Sequence, residues 1–120
     1  MKDKRVLVVD DEIAIAKLVS LVIAETGAVV ETASNGAEAL QKIRKNKPDL
    51  LVVDLIMPVM TGEELIQEIQ ADPDTQDIKI VLLTTRQSAR GYRKDAFPLI
   101  SKPFEPAAVK DLVKQVLEVE

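Results

Sequence analysis

The sequence predicts an α/β domain, a doubly wound parallel sheet with helices on both faces. Three observations carry this. The runs Val6-Leu7-Val8-Val9, Leu50-Leu51-Val52-Val53 and Ile80-Val81-Leu82-Leu83 lack polar alternation, so they read as strands buried on both faces. Segments of helical period separate them. The connections are short, and such alternation wraps into right-handed crossovers around one sheet. A chain of 120 residues suits one domain, here residues 1–120.

The elements follow in order. Strands are expected at 5–9, 28–32, 49–54, 78–83 and 97–100. The first helix runs from Ile13 to Glu25, and Gly27 is the stop just past its end. The second begins near Asn35, where Asn35 and Glu38 have capping-box spacing, and Thr61 with Glu64 repeats that signature for the third. The last starts with Pro106, a good first-turn residue. Its residues Val109, Leu112, Val113, Val116 and Leu117 form one core-facing stripe. The segment 85–96 is the weak place, because it has almost no apolar period and Gly91 lies in its middle. A shortened or irregular fourth helix is expected there, carrying the basic residues Arg86, Arg90, Arg93 and Lys94.

Composition removes several functions. Net charge is −4 and aromatics are 2%, so the basic footprint and stacking platforms of a nucleic-acid binder are missing. There is no cysteine and no histidine, so any histidine chemistry must come from a partner. The residues before Asp10 include only four consecutive apolar ones, too few for a signal peptide, and no run approaches membrane-spanning length. A cytoplasmic domain without membrane contact is expected.

What ends each strand is more specific. The first run ends in Asp10-Asp11, the third strand in Asp54, the fourth in Thr84-Thr85, and Leu99-Ile100-Ser101 in Lys102-Pro103. In parallel sheets these residues converge at the carboxyl edge, where ligands bind in open α/β folds. Three carboxylates, a hydroxyl and an ammonium gathered there could satisfy a metal and an anionic group together.

Val8-Val9-Asp10-Asp11-Glu12, Asp54-Leu55-Ile56-Met57-Pro58, Thr61-Gly62, Leu83-Thr84 and Ser101-Lys102-Pro103-Phe104 resemble the receiver domain of two-component response regulators, over the whole chain. The resemblance implies a flavodoxin-like fold with five parallel strands in order 2-1-3-4-5. It implies that Asp54 accepts a phosphoryl group from a histidine of a partner kinase or phosphotransfer protein, and so switches binding to a downstream protein target. It further implies Mg2+ held by Asp10, Asp11, Asp54 and the backbone carbonyl of Ile56, with Thr84 and Lys102 on phosphoryl oxygens.

The chemistry suits these residues. Phosphoryl transfer needs in-line positioning and neutralisation of the equatorial oxygens. Mg2+ is a hard ion that takes a few carboxylates and keeps waters. Clustered acids are costly without a nearby cation, which Mg2+ and Lys102 supply.

The chain departs from the family pattern at several points. Ile56 and Thr85 stand where polar and smaller residues are usual, which predicts slow hydrolysis of an acyl phosphate. Leu99 takes the place of a switch aromatic, Phe97 does not match that slot, and only 17 residues separate Thr84 from Lys102. Two other readings compete. An Asp-nucleophile phosphatase would want a second acid where Ile56 stands. A degenerate receiver used only for docking would not need Asp10, Asp11, Asp54, Thr84 and Lys102 together.

Overall fold

A computed structural model describes residues 3–90 and 97–118. The elements are β1 (Arg5–Val9), α1 (Ile13–Ala24), β2 (Val29–Ala33), α2 (Gly36–Lys45), β3 (Leu50–Val53), α3 (Gly62–Ala71), β4 (Lys79–Thr84), α4 (Arg86–Ala89), β5 (Leu99–Ser101) and α5 (Pro106–Glu118). The five strands form one sheet in order β2-β1-β3-β4-β5, and every neighbouring pair is parallel. This is the flavodoxin-like order that the resemblance implies.

Alternate strand residues feed two separate cores, because successive side chains point to opposite faces. Val6, Val8, Leu50, Val52, Val81, Leu83 and Ile100 pack under α1 and α5. Leu7, Val9, Leu51, Val53, Ile80 and Leu82 pack under α2 and α3. The apolar runs therefore lack alternation because both faces are dry. Each of these side chains contributes about 1.5–3 kcal/mol on burial.

The helix ends follow the sequence signals, with one shift. Thr61 and Glu64 form a complete capping box at α3. At α2, Asn35 accepts from the Glu38 amide, but Glu38 reaches back to the Ser34 amide and hydroxyl rather than to Asn35. Gly27 adopts φ 96°, the left-handed conformation that ends α1. The stripe on α5 is inward as expected, with Val109, Val113 and Leu117 buried and Leu112 and Val116 half-buried. Of the 85–96 segment, one helical turn is described, Arg86–Ala89, capped by the Thr85 side chain; residues 91–96 lie outside the described residues. Phe97 and Leu99 both pack, half-buried, against the core under α2 and α3.

Candidate functional site

Four strand ends build the carboxyl edge. Asp10 follows β1, Asp54 follows β3, Thr84 closes β4 and Lys102 follows β5. The ladder runs one residue past the strands. The Asp10 amide donates to the Ala33 carbonyl at 3.1 Å, the Asp54 amide to Val9 at 3.0 Å, and the Lys102 amide to Thr84 at 2.9 Å. Backbone pairing thus anchors the polar residues in continuity with the apolar strands. Asp10, Asp54 and Thr84 are all buried, and the Lys102–Pro103 peptide is cis.

Each of the two buried acids is braced by its own chain. Asp10 Oδ1 accepts from the Glu12 amide at 2.9 Å, and Asp54 Oδ1 from the Ile56 amide at 3.1 Å. These are Asx turns, which let a strand end bend sharply while its carboxylate stays fixed. The second oxygens face Lys102. Its ammonium lies 2.7 Å from Asp10 Oδ2, 3.1 Å from Asp54 Oδ2 and 3.1 Å from Glu12 Oε1.

The loop after Asp54 is tightly packed. Gly62 donates to the Leu55 carbonyl at 3.0 Å. A Cβ at Gly62 would lie 2.1 Å from the Asp54 carbonyl oxygen, so only glycine lets α3 start this close to the acid's backbone. Val59, 83% exposed, is held at φ 71°, a strained conformation for a β-branched residue.

Burial governs the electrostatics. It pushes the Asp10 carboxyl above the usual carboxylate range, although the Lys102 ammonium and the Glu12 amide oppose it; the Asp54 charge adds to the rise. Burial alone would lower the Lys102 ammonium. Attraction from Asp10, Asp54 and Glu12 outweighs burial and holds it above its ordinary value.

The expected residues are gathered unequally. Asp10, Asp54 and Lys102 meet directly. Thr84 is tied to Lys102 through its backbone carbonyl. Ile56 braces Asp54 with its amide, while its side chain is 64% exposed. Asp11 is exposed and lies outside the carboxylate cluster found among the described residues, which is Asp10, Glu12 and Asp54. Sequence reasoning gave Glu12 no role of its own. The signal for it was its spacing: a strand-ending Asp that accepts from the amide two residues on folds that residue back toward itself.

The cluster suits a hard divalent cation. One oxygen from each of the three carboxylates lies within 4.8 Å of the others. Asp10 Oδ2 is fully buried and has no aligned hydrogen-bond donor, only the ion pair with Lys102. An all-oxygen, carboxylate-rich donor set is what Mg2+ takes.

Residues 6–114 match the model of the response regulator receiver domain. The chain belongs to that family. The putative response regulator of Chloroflexus aurantiacus J-10-fl is 35% identical, with a TM-score of 0.87 over 97% of this chain and 98% of that one. The chemotaxis response regulator CheY4 of Vibrio cholerae is 34% identical, with a TM-score of 0.85 over 94% of this chain and 98% of that one. A protein-glutamate methylesterase/protein-glutamine glutaminase of Desulfotalea psychrophila is 38% identical over 98% of this chain, which spans 36% of that protein's length. The chain spans 36–55% of the curated relatives it matches. In this receiver domain the cluster around Asp54 fits a phosphoacceptor site. None of the described helices is long and apolar enough to cross a membrane.

Proposed function

We propose that the domain is a phosphorylated switch. Asp54 accepts a phosphoryl group from a histidine of a partner kinase or phosphotransfer protein, and the acyl phosphate alters binding to a downstream protein target. The observation that carries this is the buried Asp54 carboxylate beside both the Lys102 ammonium and a second buried acid at the sheet's carboxyl edge. A carboxylate oxygen of Asp54 forms the new P–O bond as the donor's P–N bond breaks, and the electron pair stays on the imidazole nitrogen, which takes a proton. Lys102 pairs with one phosphoryl oxygen as a point charge, and the Thr84 hydroxyl donates to another. Asp10, Asp11 and Asp54, with the Ile56 carbonyl, would hold Mg2+, which would supply neutralisation of charge on the equatorial oxygens. The reaction belongs in the cytoplasm, where ATP-dependent donors act, and the acidic, aromatic-poor composition argues against nucleic-acid contact by this domain.

The test is intact mass after incubation with acetyl phosphate, with and without Mg2+. The expected result is a phosphoryl mass gain in the wild type with Mg2+ only, and none in Asp54→Asn. An equal gain in Asp54→Asn overturns the assignment. The acyl phosphate is also long-lived, because the Ile56 side chain cannot orient an attacking water by hydrogen bonding. Ile56→Asn shortens its lifetime in a decay assay; an unchanged or longer lifetime refutes that part.

A further inference from the structure

The Lys102 ammonium sits among the three clustered carboxylates, against Asp10 and Asp54, the two buried acids that a divalent cation would also use. It is a monovalent occupant of that position. The ammonium donates to Glu12 and Asp54 and pairs by charge with Asp10. With all three acids ionised, three negative charges and one positive leave the cluster at −2, the charge a divalent ion neutralises. The ion and the ammonium cannot share the spot. One must displace the other, and the ammonium then needs an acceptor away from the two buried acids.

Only one of the three acceptors can move. Asp10 is fully buried and clamped by the Glu12 amide. Asp54 is buried and clamped by the Ile56 amide. The Glu12 side chain is 62% exposed, and among the described residues it pairs with Lys102. Its backbone is fixed as the N-cap of α1, yet the carboxylate makes no capping bond. Glu12 is therefore an exposed, unbraced acid tied to Lys102 at the mouth of a site whose other acids are buried and braced.

We propose that Glu12 is a positioning residue that receives the Lys102 ammonium when a divalent cation enters, drawing it off Asp10 and so setting cation affinity. This rests on the reading of the cluster as a cation and phosphoacceptor site. Glu12 acts through Lys102, not as a further ligand. Among the described residues, its loss leaves Lys102 only the two buried acids as partners, and the ammonium then competes harder with the cation. The same contact keeps the ammonium within reach of Asp54, ready for an incoming phosphoryl oxygen.

The experiment is a double-mutant cycle on Mg2+ affinity by titration calorimetry with MgCl2, without phosphoryl donor. Glu12→Gln weakens binding about tenfold, the size of one direct charge coupling. Lys102→Met tightens it. In the Lys102→Met background, Glu12→Gln has an effect of about twofold or less, the residue of long-range attraction. An undiminished tenfold loss in that background makes Glu12 a direct ligand and overturns the proposal, as does no loss in the single variant. If the wild type does not bind Mg2+ at all, the reading of the cluster falls along with the proposal. A second measurement does not depend on Lys102→Met folding. The Lys102 side-chain 15N resonance at saturating Mg2+ stays that of a hydrogen-bonded ammonium in the wild type and becomes that of a free, fast-exchanging one in Glu12→Gln. Identical resonances in the two proteins would likewise overturn it.

Discussion

Lysine meets aspartate at both edges of the sheet. At the carboxyl edge, Lys102 contacts Asp10 at 2.7 Å with side chains 16% and 0% exposed. At the amino edge, Lys47 contacts Asp77 at 2.6 Å with side chains 45% and 70% exposed. The distances are alike and the surroundings are opposite. At the amino edge, the Lys47 hydrogen bond holds Asp77 below its ordinary value, since water leaves little desolvation to oppose it. At the carboxyl edge, desolvation dominates, and Asp10 is pushed up despite a closely placed ammonium. The contact does not decide function; burial does. A carboxylate whose ionisation is costly is one on which a cation or a phosphoryl group has a large effect.

The largest test of that contrast is packing at the carboxyl edge. Gly62→Ala drives a Cβ to 2.1 Å from the Asp54 carbonyl oxygen and 2.7 Å from Leu55 Cα, both backbone atoms that cannot swing aside. The expected loss is about 4 kcal/mol of stability in urea unfolding, together with loss of phosphorylation at Asp54. A stable, reactive Gly62→Ala protein would mean that the acid's backbone is not held by α3.

Next comes the pair of lysines. Without divalent cation, Lys102→Met leaves two buried acids without their counter-charge and costs about 2–3 kcal/mol in urea unfolding. Asp10 then binds its proton at still higher pH, because the opposing ammonium is gone. Lys47→Met leaves stability unchanged within error, since an exposed ion pair contributes little. Equal losses in the two variants would break the comparison.

Much of this was legible in the sequence, for physical reasons. Val6 to Val9 and Leu50 to Val53 read as strands because both faces are dry, which leaves no polar alternation. Thr61 and Glu64 read as a cap because that exchange is local. Strand-ending polar residues read as a site because parallel strands bring their ends to one edge. Other features depend on tertiary placement. In α1, apolar residues occupy nearly every side, so their pattern could not tell that Ala16, Val19, Val22 and Ile23 are buried while Ile13, Leu18 and Leu21 are exposed. The edge strand β2 lies one residue later than expected, at Val29–Ala33, because only half-burial fixes its register. In Asp10-Asp11-Glu12, composition cannot say which acids turn inward. The Asx turn at Asp10 decides it, bringing Glu12 into the cluster and leaving Asp11 exposed and outside it.

The smallest expected effect sharpens the comparison from a third position. Glu38 stands at the start of α2, partly exposed, between the two extremes. The Ser34 amide and hydroxyl hold its carboxyl below the usual carboxylate range, while burial opposes weakly and Lys42 assists. Ser34 donates through both groups, at 2.7 Å and 2.9 Å. A folded value depressed below the unfolded 4.5 means that the ionised carboxylate stabilises the fold above pH 4.5. That contribution is lost as pH falls through the folded value. Glu38→Gln keeps the shape and one acceptor oxygen but removes the charge. At neutral pH it costs about 0.5 kcal/mol, a modest figure because water screens a partly exposed group. The gap between wild type and Glu38→Gln closes as the pH is lowered well below 4.5, read by urea unfolding at stepped pH. A gap that stays constant across that range would show that Ser34 holds Glu38 by shape alone, and that partial burial leaves the charge without effect.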